Sequence, residues 1–375
     1  MDTYAFIEDY LSDNQNGMKN LITWFLNQVM LMEALQQAGA GHYERTDERK
    51  ALRNGYKSRT LKTRYGETTL QKPQFRNMPF ETQIFGKYSR VEKALVNVIV
   101  ESYLQGVSTR KIQDIVSHLG IEQLSPASVS RMARDLDEQV QAFLTRPIEH
   151  KIPYIFVDAS YFKVRDGVRY VNKAALIVAG IREDYRREVL GVTIAACENE
   201  DFWLSIFEDL KERGLDGVQM VVSDGHKGIQ KAVEGAFLGS SWQMCQVHCS
   251  RAVLKNIPRK MQKEIGECLR DAYGSEERLQ ALADELNDKG YRKAANTIER
   301  FIPGLLNYTA FPKEHWKKIK TTNMMERMNK ELKRRTRVAG VFPNDESLLR
   351  LIGAILMDIN EEWVTGRRYL SDERE

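Results

Sequence analysis

The stretch from Ile152 to Val247 constrains the fold more than any other part of the chain. Three strand-like runs follow one another there: IPYIFVDASYFKV, VRYVNKAALIVAGI and REVLGVTIAAC. Asp166-Gly167 between the first two is a hairpin signal, because both residues tolerate the positive φ of a tight turn. The polar stretch Arg182 to Arg187 joins the second and third. NEDFWLSIFEDLKERG then changes the period from two to 3.6, with Phe202, Ile206 and Leu210 on one face. A short apolar strand, VQMVVSD, comes next. A helix over Lys227 to Phe237 and a short run, WQMCQV, complete the series.

An antiparallel meander of three strands, then helix, strand, helix and strand, is the order of a ribonuclease-H-like, or retroviral-integrase-like, α/β core. Residues 249–318 interrupt it. They are rich in Lys, Glu and Ala and read as an all-helical insertion before a last core helix over Asn323 to Arg337.

Two carboxylates stand out against this frame. Asp158 lies inside the apolar strand YIFVDASYF, where a charge is costly unless it is paired, hydrogen-bonded or bound to metal. Asp224 ends the apolar strand VVSD beside Gly225. A third, Glu326, opens the basic helix TTNMMERMNKELKRR. In the expected fold the first and fourth strands are neighbours and the last helix crosses them, so the three would converge. Hard oxygen donors of this kind suit Mg2+, with Mn2+ as a substitute. Two ions about 3.5–4 Å apart can both activate an attacking oxygen and stabilise a leaving one on a phosphodiester. Local readings compete. Asp158 could serve a turn, Asp224 could cap the next helix, and Glu326 could close a capping box with Asn323. Cys245 and His248 form a Cys-x-x-His with Cys249 beside it. Without a second ligand pair in sequence, they and His226 read as structural residues near the site rather than a zinc centre.

The N-terminal part differs in character. Residues 18–38 read as an amphipathic helix, with Leu21, Trp24, Phe25, Val29 and Leu31 to Met32 near helical spacing, serving the core or a subunit contact. Residues 53–76 partly alternate and carry Tyr56, Lys57, Arg59, Arg64 and Tyr65, as a basic β-ribbon would. Within 91–148, GVSTRKIQDIVSHLG and LSPASVSRMARDLDEQV predict a helix-turn-helix. Its first helix starts near Ser108 or Thr109, its turn lies at Gly120, and its second helix opens at Ser125-Pro126 and carries Arg131. The expected segments are 1–52, 53–90, 91–148, 149–248, 249–318 and 319–375.

A net charge of +4 says little, but its distribution says more. Acid-free basic clusters run from Arg53 to Arg64 and from Arg251 to Lys263, and a third basic block runs from Lys313 to Arg337. Three separated clusters point to a polyanion, with Lys57, Arg59, Arg64, Arg131, Arg251, Arg327, Lys330, Arg334, Arg335 and Arg337 as candidate phosphate contacts. The N-terminus is acidic and lacks an apolar signal core. No uncharged run approaches the roughly 20 residues of a membrane span, and four cysteines do not make a disulfide scaffold, so a cytoplasmic protein is expected.

Four long segments resemble one known family. FWLSIFEDLKERGLDGVQMVVSDGHKGIQKAV, CQVHCSRAVLKNIPRK, NMMERMNKELKRRTRVAGVFPN and RNGYKSRTLKTRYGETTLQKPQFR are similar to ordered blocks of bacterial insertion-sequence transposases of the Mutator superfamily. The resemblance runs from about residue 50 to 360. The Cys249-Ser-Arg-Ala stretch departs from it, and the residues before Tyr43 match little. The resemblance implies a DDE transposase with Asp158, Asp224 and Glu326 as a triad for two metal ions. It also implies terminal inverted repeats and target DNA as substrates, and a dimer or larger assembly on DNA. The alternatives are a ribonuclease-H-like nuclease and a catalytically silent DNA-binding regulator.

Overall fold

The computed structural model describes residues 8, 11–12, 14–41, 44, 46, 48–63, 65–84, 93–117 and 133–371. The chain divides into two compact units, Met1–Asp135 and Leu136–Glu375.

In the first unit, helix α1 (Asn14–Ala38) packs on a two-stranded antiparallel ribbon, β1 (Arg53–Thr63) and β2 (Gly66–Phe75). The ribbon alternates toward its turn, burying Leu61 and Leu70 while Lys57 and Tyr56 stay exposed. The buried stripe of α1 differs from the expected one. Leu26, Met30, Ala34 and Ala38 face the ribbon, with Phe75 and Phe80 closing the cluster. Phe25 and Met32 are exposed. The i, i+4 spacing of small and slender residues lets the helix approach the strands closely. The bulkier aromatic stripe, which dominates a hydropathy reading, lies off that line. Two further helices, α2 (Lys93–Leu104) and α3 (Thr109–Ser117), follow. Ser108 caps α3, its hydroxyl accepting from the Lys111 N–H at 3.1 Å. The turn at Gly120 and the second helix expected from Ser125-Pro126, with Arg131, lie outside the described residues, as does Arg64.

The second unit is built on a five-stranded sheet of order β5-β4-β3-β6-β7. Strands β3 (Tyr154–Asp166), β4 (Arg169–Ile181) and β5 (Arg187–Ala195) form the antiparallel meander. Strands β6 (Met220–Ser223) and β7 (Ser241–Met244) add in parallel beside β3. The Asp166-Gly167 hairpin is as expected, with Gly167 at φ 59°. Helix α4 (Asp137–Thr145) precedes the sheet, α5 (Glu200–Glu212) joins β5 to β6, and α6 (Lys227–Ala236) joins β6 to β7. One face of the sheet packs Ile155, Val157, Leu176 and Val178 against Trp203, Phe207, Ile229 and Val233 of α5 and α6. The result is a mixed α/β unit with a sheet core and surrounding helices.

After β7 the chain forms a helical subdomain: α7 (Gln246–Leu254), α8 (Gln262–Ala272), α9 (Glu276–Asp288) and α10 (Arg292–Leu305). It has its own apolar core around Val253, Leu269, Leu282 and Ile298. Two glycines fix where it meets the sheet. A Cβ on Gly225 would stand 2.2 Å from the Phe301 ring of α10, and one on Gly304 would stand 2.2 Å from the Trp242 ring of β7. Helix α11 (Lys313–Ile319) leads to α12 (Asn323–Thr336), and α13 (Asp345–Thr365) ends the regular structure. Arg350 of α13 holds α4 through two hydrogen bonds to Asp137, of 2.5 and 2.8 Å. No helix among the described residues is long and apolar enough to cross a membrane.

Candidate active site

Parallel pairing of β3 with β6 brings the two aspartates together. Phe156 stands opposite Val222, and Asp158 and Asp224 each lie two residues further along. The strands are buried up to this level, so both carboxylates emerge where the apolar core ends.

Asp158 is half-buried. Its Oδ2 accepts from the Asn329 side chain of α12 at 2.7 Å and its Oδ1 from the Ala159 N–H at 2.9 Å. Burial raises its pKa to about 6, opposed by the His248 charge and reinforced by that of Asp224. Asp224 Oδ1 accepts from the His226 N–H at 3.0 Å, closing a tight turn. It does not extend to a cap on α6, where His226 itself occupies the cap position.

Helix α12 crosses this end of the sheet, anchored by Asn329, and so carries Glu326 to the same region. Glu326 makes no capping box: Asn323 is already helical and exposed, and Thr322 is the cap. The Glu326 carboxylate instead receives Arg251 from α7 at 2.5 and 3.2 Å, and His248 Nε2 stands 3.7 Å away.

Cys245 and His248, at the start of α7, tie that helix to α12. The buried Cys245 sulfur accepts from the Thr322 N–H at 3.2 Å and from its hydroxyl at 3.3 Å. The same hydroxyl lies 3.3 Å from His248 Nδ1. The Cys245 interaction raises the imidazole to about 9 against the effect of burial, and Asp158 and Asp224 add to the rise. Burial opposes a thiolate, but the hydrogen bonds from His248 and Thr322 outweigh it and leave the Cys245 thiol below its ordinary value. These shifts favour a protonated His248 facing the acidic cluster.

The remaining predicted residues fall into several groups. Arg327, Lys330 and Arg337 are exposed on α12 and its C-terminal cap. Arg334 is paired with Glu331 at 2.6 Å, while Arg335 bridges Glu331 at 2.7 Å and Asp358 at 2.8 Å. In the first unit Lys57 and Arg59 line a ribbon groove of about 640 Å³ together with Lys72. Sequence reasoning missed Glu198, just before the Asn199 cap of α5. It accepts from the Trp203 indole at 3.2 Å and the Tyr161 hydroxyl at 3.3 Å. Burial, then the charge of Asp224, raises its pKa. No spacing marks it, since it lies in a loop and is brought to the site only by the sheet.

Hard carboxylate oxygens on adjoining elements, two of them with mutually unfavourable charge, are the donor chemistry a divalent cation takes. Among the described residues, however, no three His, Cys, Asp or Glu side chains form a group that could hold an ion. The Glu326 oxygens are engaged by Arg251.

A family described as "Transposase, Mutator family" matches residues 3–366. The transposase for insertion sequence element ISRM5 of Rhizobium meliloti is 38% identical, over 98% of this chain and 94% of that protein. The transposase for insertion sequence element IS256 in transposon Tn4001 of Staphylococcus aureus is 36% identical, over 95% and 93%. A looser likeness is to the Drosophila P element transposase strand transfer complex, at TM-score 0.33 and 12% identity over 76% of this chain and 83% of that one. The chain belongs to the Mutator family of transposases.

Proposed function

We propose that this transposase cuts and joins DNA at a single site formed by Asp158, Asp224 and Glu326, acting on the terminal inverted repeats of its insertion sequence and on target DNA. The observation that carries the proposal is the level placement of Asp158 and Asp224 on neighbouring parallel strands, with the Glu326 helix held over them by Asn329. Asp158, Asp224 and Glu326, which do not form an ion-holding group as they stand, would hold two Mg2+ ions, with Mn2+ as a substitute, once Arg251 releases Glu326. Ions held there would supply Lewis-acid charge at the scissile phosphate and lower the pKa of an attacking water or DNA 3′-hydroxyl.

The chain's own residues perform the rest. Asn329 orients Asp158, and the His226 N–H orients Asp224. His248, whose protonated form is favoured by Cys245 and by the charges of Asp158 and Asp224, offsets the crowded negative charge and would present a donor toward a phosphate oxygen. Arg251 neutralises Glu326 in the free protein and lies at the rim, where a phosphate can compete for it. Arg327, Lys330 and Arg337 are the exposed contacts for the DNA backbone in this unit.

The first unit would recognise the element ends. The ribbon residues Lys57 and Arg59, with Arg64, would lie along phosphates, and a helix-turn-helix led by α3 and carrying Arg131 would read the groove. The two ends of an element must be handled together, so a homodimer or higher oligomer on DNA is expected, working in the cytoplasm on the nucleoid.

The test is direct. Purified protein is incubated with a labelled duplex carrying one element end, in Mg2+, in Mn2+ and in chelator. Nicked and joined products in both metals, and none in chelator, are expected. A protein–DNA covalent adduct, or full activity in chelator, would overturn the reading.

A further inference from the structure

Two cations from separate elements meet over one aromatic ring, and Arg327 of α12 lies within electrostatic reach of both. Arg187 opens β5, Lys318 is in the last turn of α11 and Arg327 is in the second turn of α12. Two aromatic residues of the C-terminal region form the floor. The Arg187 guanidinium lies 4.6 Å from the Trp363 ring centroid and 5.0 Å from that of Tyr369. The Lys318 ammonium lies 4.4 Å from the same Tyr369 ring. Two cations therefore share one ring.

Like charges this close are costly unless an anion joins them. Among the described residues none of the three has an ion-pair partner. The acid whose charge reaches Arg187 is the exposed Glu362. The buried Arg187 Nε has no hydrogen-bond partner. After burial, the charges of Lys317, Arg327 and Arg187 lower Lys318, and that of Arg327 lowers Arg187. Packing accounts for the stacked Arg187, since a guanidinium over aromatic rings stabilises by itself. It does not account for a second cation, Lys318, over the same ring.

We infer that Arg187, Lys318 and Arg327 form a phosphate-binding subsite that takes a backbone phosphodiester of the DNA strand, close to but distinct from the one being cut. The inference rests on the proposed cutting site. Arg327 directly follows Glu326, so their Cα atoms are about 3.8 Å apart while their side chains diverge by about 100° around the helix. Phosphates recur at about 3.4 Å of rise along a strand. A strand with its scissile phosphate at Glu326 therefore carries a near neighbour past Arg327. Arginine and lysine converging from separate elements would fix the register of that strand and, with it, which bond is presented for cleavage.

The experiment measures binding of the full chain to a duplex of the element end, and to a random duplex of the same length, across a range of salt. Wild type is compared with the double variant Lys318→Gln, Arg327→Gln. A single neutral methylphosphonate is then walked along the strand. Loss of one phosphate contact flattens the slope of log affinity against log salt by about 0.9, equally for both duplexes. At one methylphosphonate position wild type should lose affinity while the double variant loses none further. An unchanged slope, together with the same methylphosphonate profile in both proteins, overturns the subsite. Thermal unfolding checks the fold, and if the double variant melts early the single Lys318→Gln variant takes its place in the same comparison. Failure of wild type itself to bind either duplex in a salt-dependent way would sink the cutting-site reading and the subsite with it. Cleavage by wild type with an unaltered variant slope sinks the subsite alone.

Discussion

At the scale of single residues, the site is a balance between burial and charge. Asp158 is raised to about 6 chiefly by burial, so the folded protein holds its proton more tightly than the unfolded chain does. The stabilisation linked to that proton is complete below about pH 4 and is lost as pH rises through about 6. His248, raised to about 9, has the same sign: its contribution is complete below about pH 6.5 and is lost as pH rises through about 9. In chelator, the melting temperature of the whole protein should therefore fall in two steps with rising pH. Asp158→Asn should remove the lower step and stabilise the protein at neutral pH by on the order of 2 kcal/mol. Mg2+ should stabilise wild type and do so much less for Asp158→Asn, as calorimetry would show. Destabilisation by Asp158→Asn at neutral pH in chelator would contradict the assignment of burial as the dominant cause. Asp158 could be picked out from sequence because a carboxylate in YIFVDASYF has no inexpensive explanation. Glu198 could not, because its burial arises from Trp203 and Tyr161, which the fold alone brings to it.

At the scale of elements, the contacts that align the site are between helices and strands. Gly225 follows Asp224 directly, and Phe301 of the helical subdomain fills the space where a side chain would go. Gly225→Ala should cost about 1–3 kcal/mol by overpacking. Because the ring can yield only by moving α10 or the Asp224 turn, it should also lower cleavage more than DNA binding. Equal stability and equal cleavage in the variant would show that the contact does not align the turn. On the opposite side, Arg350→Leu should destabilise the second unit by about 2–4 kcal/mol, seen in denaturant unfolding, since it removes both hydrogen bonds to Asp137 and so frees α4 from α13. The strands of the meander and α5, α6 and α12 were legible in sequence because their periods are strong and their turns carry Gly, Asn or Asp. The buried stripe of α1 was not. Its Ala34 and Ala38 contribute little hydropathy, and close approach to the ribbon decides the matter. Nor was the partner of Asp158 legible, since it lies about two turns along α12 from the cap. Asn323 reads as a cap, whereas Thr322 is the cap and Asn329, further along α12, reaches the aspartate.

At the scale of the whole molecule, a sheet with an antiparallel meander and two parallel strands collects residues far apart in sequence. The helical subdomain inserted after β7 adds Arg251 and His248 to the same corner. That corner is one working site only if its parts fail together. The measurement that tests this most directly places the element's ends on a donor plasmid, supplies the protein in trans, and scores excised or rejoined end junctions. Wild type is compared with Asp158→Asn, Asp224→Asn and Glu326→Gln, each confirmed to bind the ends. Junctions with wild type, and a loss of at least about a hundredfold in each variant, are predicted for groups that act as a unit. Junctions at wild-type frequency from any of the three variants would contradict the assignment of that carboxylate, and with it the account of a single three-carboxylate site.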